Sequence, residues 1–371
     1  MALLQTYFVP YCRSVQYRSA LLAIISIANF SVSAQTSSAV PPAASTVSTA
    51  LPQAMPVQRS VSEWLMRMHN ASSRRAYVGT FVVSSALGNL STSRIWHVCD
   101  GDQQMERVDA MNGIARTTLR RNDDVITFVP ALKLARAEKR DSFGMFPNLF
   151  RAGDSSIAEF YAARAVATDR AAGHEADVVN ITPKDKLRFG YRVWSEKKTG
   201  LVIKLQTLDT EGRVIEQSAF SELQLDAPVK MDKLAQMMAN TEGYRVEKTE
   251  VVKTTAATEG WALKAAVPGF KSISCFKRAM DTAASAAPGS AKDSVNSAMQ
   301  WIFSDGLATV SLFLEIYDRQ RHLQEGLQAL GATQSLTRHV RDKDGDWWLT
   351  VLGEVPTPTL LVFAQSLERK K

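Results

Sequence analysis

Apolar and polar residues alternate with a period near two over most of this chain, the pattern of strands that bury one face. The first set runs Arg75 to Ser84, Thr92 to Val98, Met105 to Met111, Ile114 to Arg120 and Val125 to Val129. The punctuation between them is Leu87-Gly88-Asn89, Asp100-Gly101-Asp102 and Asn112-Gly113. The last dipeptide is a strong hairpin signal, because both residue types accept a positive φ. A second set covers Ala176 to Ile181, Phe189 to Ser195, Leu201 to Leu208 and Arg213 to Leu223, with tight connections at 196–200 and 210–212. Together they predict a curved antiparallel sheet. One strand breaks the rule: Tyr77, Gly79, Phe81 and Val83 point one way, Val78, Thr80 and Val82 the other, and both sets are largely apolar. A strand with a wet face would be polar on one side. Both faces are therefore expected to be covered, one by a helix and the other by packing or a ligand.

Helical signals are fewer. Ser60-Val61-Ser62-Glu63 has the form of a capping box, and Val61, Trp64, Leu65 and Met68 then share one face. Short helices are predicted over 154–163, near Val229 to Met238, and from Pro358 to about Leu367, where proline suits a first turn. A second, smaller domain opens at Trp261. Its strands are Phe270 to Lys277, Met299 to Phe303, Leu307 to Tyr317, Gln334 to Arg341 and Trp347 to Leu352, with an Ala/Ser-rich spacer near 281–294.

The front of the chain reads as a secretory leader. Arg13 and Arg18 precede an apolar core, Ala20 to Phe30, and the small-residue pattern Val32-Ser33-Ala34 follows. That core is shorter than the roughly 20 residues a bilayer span requires, and Cys12 lies before it rather than at a lipid-attachment position. The expected organisation is a leader at 1–34, a Ser/Ala/Pro/Thr-rich tether at 35–58, a large sheet domain at 59–225, a connection at 226–259 and a small domain at 260–371. The formal charge of +7 stays positive without the leader's two arginines. In an exported compartment the anionic partners are lipid head groups, lipid A phosphates and acidic peptides rather than nucleic acid. Cys99 and Cys275 could be bridged in such a compartment or be two separate buried thiols; the sequence leaves both open.

Nothing in the sequence assembles a catalytic or metal site. The histidines at 69, 97, 174, 322 and 339 form no i, i+3 or i+4 pair, and there is no Cys-x-x-Cys. No Gly-x-Ser-x-Gly elbow or Gly-rich phosphate loop occurs. Ser195 with Lys198 and Ser274 with Lys277 match Ser-x-x-Lys only by spacing, in a charged hairpin and a strand. Asp342, Asp344 and Asp346 start like a calcium loop, but Trp347 and Gly353 stand where it needs Gly and Glu. The expectation is a binding protein without enzyme activity, metal or cofactor. The best candidate for binding is the break in the strand rhythm after Ala131. Phe143, Met145, Phe146, Leu149 and Phe150 follow the basic residues Lys133, Arg136, Lys139 and Arg140. An apolar lid with cations at its rim suits an amphiphile carrying phosphate, since buried acyl chain contributes about 0.8 kcal/mol per methylene.

Several stretches occur in order: Tyr77-Val78-Gly79-Thr80-Phe81-Val82, Ser93-Arg94-Ile95-Trp96-His97, Pro183-Lys184-Asp185, Arg188-Phe189-Gly190-Tyr191-Arg192-Val193-Trp194, Val267-Pro268-Gly269-Phe270 and Ser304-Asp305-Gly306-Leu307-Ala308-Thr309-Val310. Together they resemble one family, the periplasmic sigma-E factor regulatory proteins RseB/MucB. The resemblance runs from about Trp64 to the end. It implies an α+β protein: a large open antiparallel half-barrel with helices on its concave side, like the lipoprotein carriers, plus a small C-terminal sheet-and-helix domain. It further implies a periplasmic negative regulator of the envelope stress response. Such a protein binds the periplasmic part of a single-span anti-sigma factor, shields it from site-1 proteolysis, and is released by lipid or lipopolysaccharide as effector.

The candidate lipid-facing residues are Phe81, Phe128, Phe143, Met145, Phe146, Leu149 and Phe150, with Lys133, Arg136 and Arg140 for the head group. Asp305, Gly306 and Leu307 are the candidate partner contacts. A homo-oligomer is left open. A competing reading is a periplasmic lipid or lipoprotein carrier, which would have no need of the domain after Trp261.

Overall fold

A computed structural model describes residues 57–139, 146, 156–248, 251–279, 297–343 and 345–370. Everything structural below refers to them. The leader and residues 35–56 of the expected tether lie outside this set, whereas Gln58, placed in the tether, exchanges hydrogen bonds with the Ala165 backbone.

The first set of alternating segments folds as a meander of β1 (Tyr77–Ser85), β2 (Leu90–Asp100), β3 (Gln103–Ala110), β4 (Thr117–Arg121), β5 (Asp124–Val129) and β6 (Leu134–Lys139). The second is β7 (Tyr161–Ala171), β8 (His174–Pro183), β9 (Gly190–Glu196), β10 (Val202–Leu208) and β11 (Val214–Leu225). Strand β11 returns to pair with β1, and β12 (Arg245–Lys248) adds to β6 in parallel. The product is one twelve-stranded sheet whose end strands, β12 and β7, do not meet, so it is open rather than a closed barrel.

Helix α1 (Val61–Arg74) carries the expected capping box, with Ser60 and Glu63 each accepting the other's backbone N–H. Its Trp64, Leu65 and Met68 are buried against residues from β1, β2, β3 and β7 through β11. The sheet wraps this helix. A one-turn helix, α2 (Ile157–Phe160), leads into β7, and α3 (Met231–Ala239) covers the opposite face of β3 and β4. The strand that looked apolar on both sides is thus explained on one side by α1, where Tyr77 and Phe81 are buried; Val78 and Val82 on the other side are half-buried.

The small domain is a seven-stranded antiparallel sheet of β13 (Val251–Lys253), β15 (Lys271–Ala279), β16 (Ser297–Ser304), β17 (Thr309–Ile316), β18 (Gly326–Leu330), β19 (Thr333–Asp342) and β20 (Gly345–Gly353). Helix α4 (Thr357–Ser366) packs on it, and β14 (Trp261–Leu263) pairs with β21 (Leu367–Arg369). Cys99 in β2 and Cys275 in β15 are unbridged.

Three expectations change. The segment 226–259, read as a connection with one short helix near Val229 to Met238, holds that helix as α3 and also the strands β12 and β13, which are too short to show a period. The helix expected over 154–163 stops at Phe160, and Tyr161 starts an eleven-residue edge strand. Its alanines hide it, because alanine has little strand preference. Asn112-Gly113 makes no two-residue hairpin: β3 ends at Ala110, and Ala110 donates its N–H to the Arg116 carbonyl. The Asn112 side chain instead accepts from Thr92 N–H and donates to the Leu90 carbonyl, a side-chain alternative to the ladder.

Candidate binding site

On the α1 side of the sheet, Phe81 and Phe220 point inward from adjacent strands with ring centres 6.2 Å apart. Phe146 lies over both, 5.6 Å from Phe81 and 5.1 Å from Phe220, and all three are buried. Gly79 permits this arrangement. A Cβ there would come within 2.6 Å of the Phe220 ring and 2.7 Å of the Glu222 carbonyl oxygen, so any side chain would displace that ring. Phe143, Met145, Leu149, Phe150 and Arg140 lie outside the described residues.

Phe128 requires a correction. Register through β1 to β5 pairs Phe81 with Ser93, Ser93 with Ala110 and Phe128 with Thr117. Because side chains alternate strictly along a strand, Phe128 emerges on the face opposite Phe81. It packs there with Ala135 and Leu234 of α3, its ring 5.1 Å from that of Tyr244. It therefore cannot line the same hollow as Phe81 and Phe146. Lys133 occupies an exposed left-handed turn position with φ 47°. Arg136 is half-buried, 3.5 Å from the Glu247 carboxylate.

The proposed contact residues sit in a seam between the two domains. Arg188, in the β8–β9 connection, is fully buried. Its Nε donates to Asp305 Oδ2 at 2.6 Å, one terminal nitrogen donates to Asp185, and the other donates to the Pro268 carbonyl at 2.6 Å. Its guanidinium lies between two rings, 4.4 Å from Phe160 and 4.8 Å from Phe270. Asp305 also accepts from the Tyr161 hydroxyl at 3.1 Å and from the backbone N–H groups of Leu307 and Ala308. Burial, reinforced by the Asp305 charge, pushes the Tyr161 hydroxyl well above its usual range, so it stays a donor.

Leu307 packs against the large domain's core, and Leu187 of the large domain packs against the small one's. The Thr359 hydroxyl of α4 donates to the Leu187 carbonyl at 2.7 Å. A second contact lies nearby, where Glu216 of β11 accepts the Ala332 N–H at 3.1 Å. Burial raises the Glu216 carboxyl, and its other oxygen has no hydrogen-bond partner. Asp305 is thus engaged inside the molecule, and the Asp305-Gly306-Leu307 turn holds the domains together.

Sequence reasoning missed Arg188, Tyr161 and Glu216. The Arg188 signal was present, since a lone arginine between a charged turn and Phe189-Gly190-Tyr191 enters a buried strand, but its partner lies 117 positions away. Ser195 and Ser274 acquire no catalytic setting: Ser195 Oγ donates to the Gly200 carbonyl, and Lys277 pairs with Glu259.

Comparison with known proteins agrees with this two-sheet plan. Residues 60–238 match the MucB/RseB N-terminal domain model, and residues 255–368 match the MucB/RseB C-terminal domain model. The chain belongs to the MucB/RseB family. Among this family's members, "Sigma factor AlgU regulatory protein MucB" of Pseudomonas aeruginosa is 29% identical over 299 residues, covering 80% of this chain and 87% of the relative. "Sigma-E factor regulatory protein RseB" of Escherichia coli is 20% identical over 304 residues, covering 82% and 89%. The crystal structure of MucB in complex with MucA(peri) superposes with a TM-score of 0.61 at 25% identity, over 84% of this chain and 99% of that one. MucB alone superposes at 0.58. The N-terminal model ends at residue 238, within α3, consistent with that helix belonging to the large domain.

Proposed function

We propose that this chain is a periplasmic negative regulator of an envelope stress response. It binds the periplasmic part of a membrane-spanning anti-sigma factor, shields it from site-1 proteolysis, and releases it when lipid occupies the large domain. The observation that carries this reading is the match to both MucB/RseB domains in order, together with the likeness to MucB bound to MucA(peri) over 84% of the chain. Phe81 and Phe146, with Phe220 beside them, are the residues nominated for acyl contact. Lys133 and Arg136 are the nominated head-group cations.

The seam gives partner binding a physical basis. A partner that touches both sheets requires them held in one arrangement, and the Asp305-Gly306-Leu307 turn supplies that hold from within the molecule. Coupling between lipid and partner is reciprocal by linkage, so each must weaken the other by the same factor. No described helix is long and apolar enough to cross a membrane. The test is a titration of the anti-sigma periplasmic segment with and without lipopolysaccharide fragments. Affinity should fall in their presence. An unchanged dissociation constant removes the lipid switch, and absence of any binding removes the regulator.

A further inference from the structure

The turns at the two ends of strands β1 to β6 differ in character. At one end lie the β1–β2, β3–β4 and β5–β6 connections. They present Leu87, Leu90, Met111, Ile114 and Leu132, each between 56% and 71% exposed. Residues 86–91, 111–116 and 130–133 contain no acid, and their only charges are Arg116 and Lys133. At the other end, the β2–β3 and β4–β5 turns carry Asp100, Asp102, Asp123 and Asp124, all exposed, and no exposed large apolar residue. Strand pairing is served equally well by polar turns at both ends, so the sheet does not require this asymmetry.

The apolar tips are also held in place. Asn112 bridges the first two, accepting from Thr92 N–H at 2.8 Å and donating to the Leu90 carbonyl at 3.0 Å, while Met111 N–H reaches the Thr92 carbonyl at 2.9 Å. The third is closed by Lys133 N–H on the Pro130 carbonyl, and Arg245 N–H caps the Lys133 carbonyl. Successive tips stand two strand widths apart, about 10 Å. A protein partner favours a continuous, shape-matched patch. Separate apolar tips in a row, with cations and no acids among them, suit a fluid layer that closes around each one while its anionic surface meets the charges. The adjoining β10–β11 turn does hold acids, Asp209 and Glu211, but both are paired with Arg213.

We infer that the β1–β2, β3–β4 and β5–β6 turns form a docking edge for the surface of an anionic lipid bilayer. This contact is distinct from any lipid held on the α1 side of the sheet and does not depend on it. The edge orients the protein on the membrane, tips inward and the acidic turns facing water.

The test is co-sedimentation of the chain from Gln35 onward, which keeps every described residue, with vesicles. One set is phosphatidylcholine alone and the other is phosphatidylcholine mixed with phosphatidylglycerol. Binding to the mixed vesicles should exceed binding to the neutral ones and fall with added salt. A combined Leu87→Ser, Leu90→Ser, Ile114→Ser and Leu132→Ser variant should lose about tenfold or more of it. R116E with K133E should lose the preference for phosphatidylglycerol. A matched D100N, D102N and D123N variant should lose nothing. Ile114→Trp reports insertion directly, through a blue shift on vesicles and quenching by brominated acyl chains. Retained binding of the anti-sigma segment shows the serine variant folded and separates this test from that of the regulator. The proposal is overturned if the wild-type chain ignores mixed vesicles, if the serine variant binds them equally, or if brominated chains fail to quench the indole introduced by Ile114→Trp. It is also overturned if wild-type chains ignore vesicles and the serine substitutions convert a dimer to a monomer, which would assign the tips to a second copy.

Discussion

Two regions at the same end of the large sheet invert the usual distribution of residues. In the seam, Arg188 and Asp305 are buried, with three hydrogen bonds from the guanidinium and four accepted by the carboxylate. A few strands away, Leu87, Ile114 and Leu132 are in water. Buried charge is costly unless each donor and acceptor is matched, and exposed leucine forgoes burial worth roughly 1.5–3 kcal/mol. The seam's polar groups serve geometric specificity, since two of the three Arg188 bonds, to Asp305 and the Pro268 carbonyl, require the small domain in this position. The exposed tips specify nothing within the chain. One region is complete, and the other is complementary to something outside it.

The largest expected effect comes from breaking the complete region. Arg188→Met strands the Asp305 carboxylate in a buried pocket, and removing one partner of a buried pair typically costs about 3–5 kcal/mol. Thermal unfolding should shift accordingly, and small-angle scattering should show the domains separating. Adding Asp305→Asn should return part of that loss, since the stranded charge is gone. If Arg188→Met leaves both Tm and scattering unchanged, the seam does not hold the domains.

A smaller but sharper effect should follow from Gly269→Ala. Gly269 has φ +79°, and a Cβ there would meet a terminal nitrogen of Arg188 at 2.2 Å and the Phe160 ring at 2.8 Å. Backbone strain of about 1–3 kcal/mol and displacement of Arg188 act together, so denaturant midpoints should fall. Gly212→Ala has a comparable φ, +80°, but open space around it, so it separates strain from crowding.

The smallest effect concerns pH. Burial raises the Glu216 carboxyl above its unfolded value, so the folded state holds that proton more tightly. Its contribution to stability is fully present below the unfolded carboxylate range and is lost as pH rises through the raised value. Glu216→Gln keeps an acceptor for Ala332 N–H and removes the charge. At neutral pH it should raise Tm by about 2–4 °C per kcal/mol gained, and the difference should vanish in acid. An equal gain at pH 4 and pH 7 would mean that folding does not raise the Glu216 carboxyl.

The residues themselves explain how much of this was readable. Helix α1 and its cap follow from Ser60, Glu63 and a 3.6-residue apolar spacing, all local properties. So do most strands of both meanders, where alternation is strong. Strands β7 and β12 were not legible, because alanine-rich or four-residue strands exist only through their neighbours. The candidate site divided in the same way. Phe81 and Phe146 could be nominated as apolar and aromatic, but no sequence property told them from Phe128.

Local chemistry along the chain decided where strands turn, where α1 begins, that two domains follow one another, and which family the chain resembles. The tertiary structure alone decided that Phe128 faces away from Phe81, that Arg188 meets Asp305, and that three apolar turns line up on one edge. The reason is register. A shift of one residue in strand pairing reverses every side chain between two faces, and pairing is chosen by the whole sheet at once, over separations that no local pattern records.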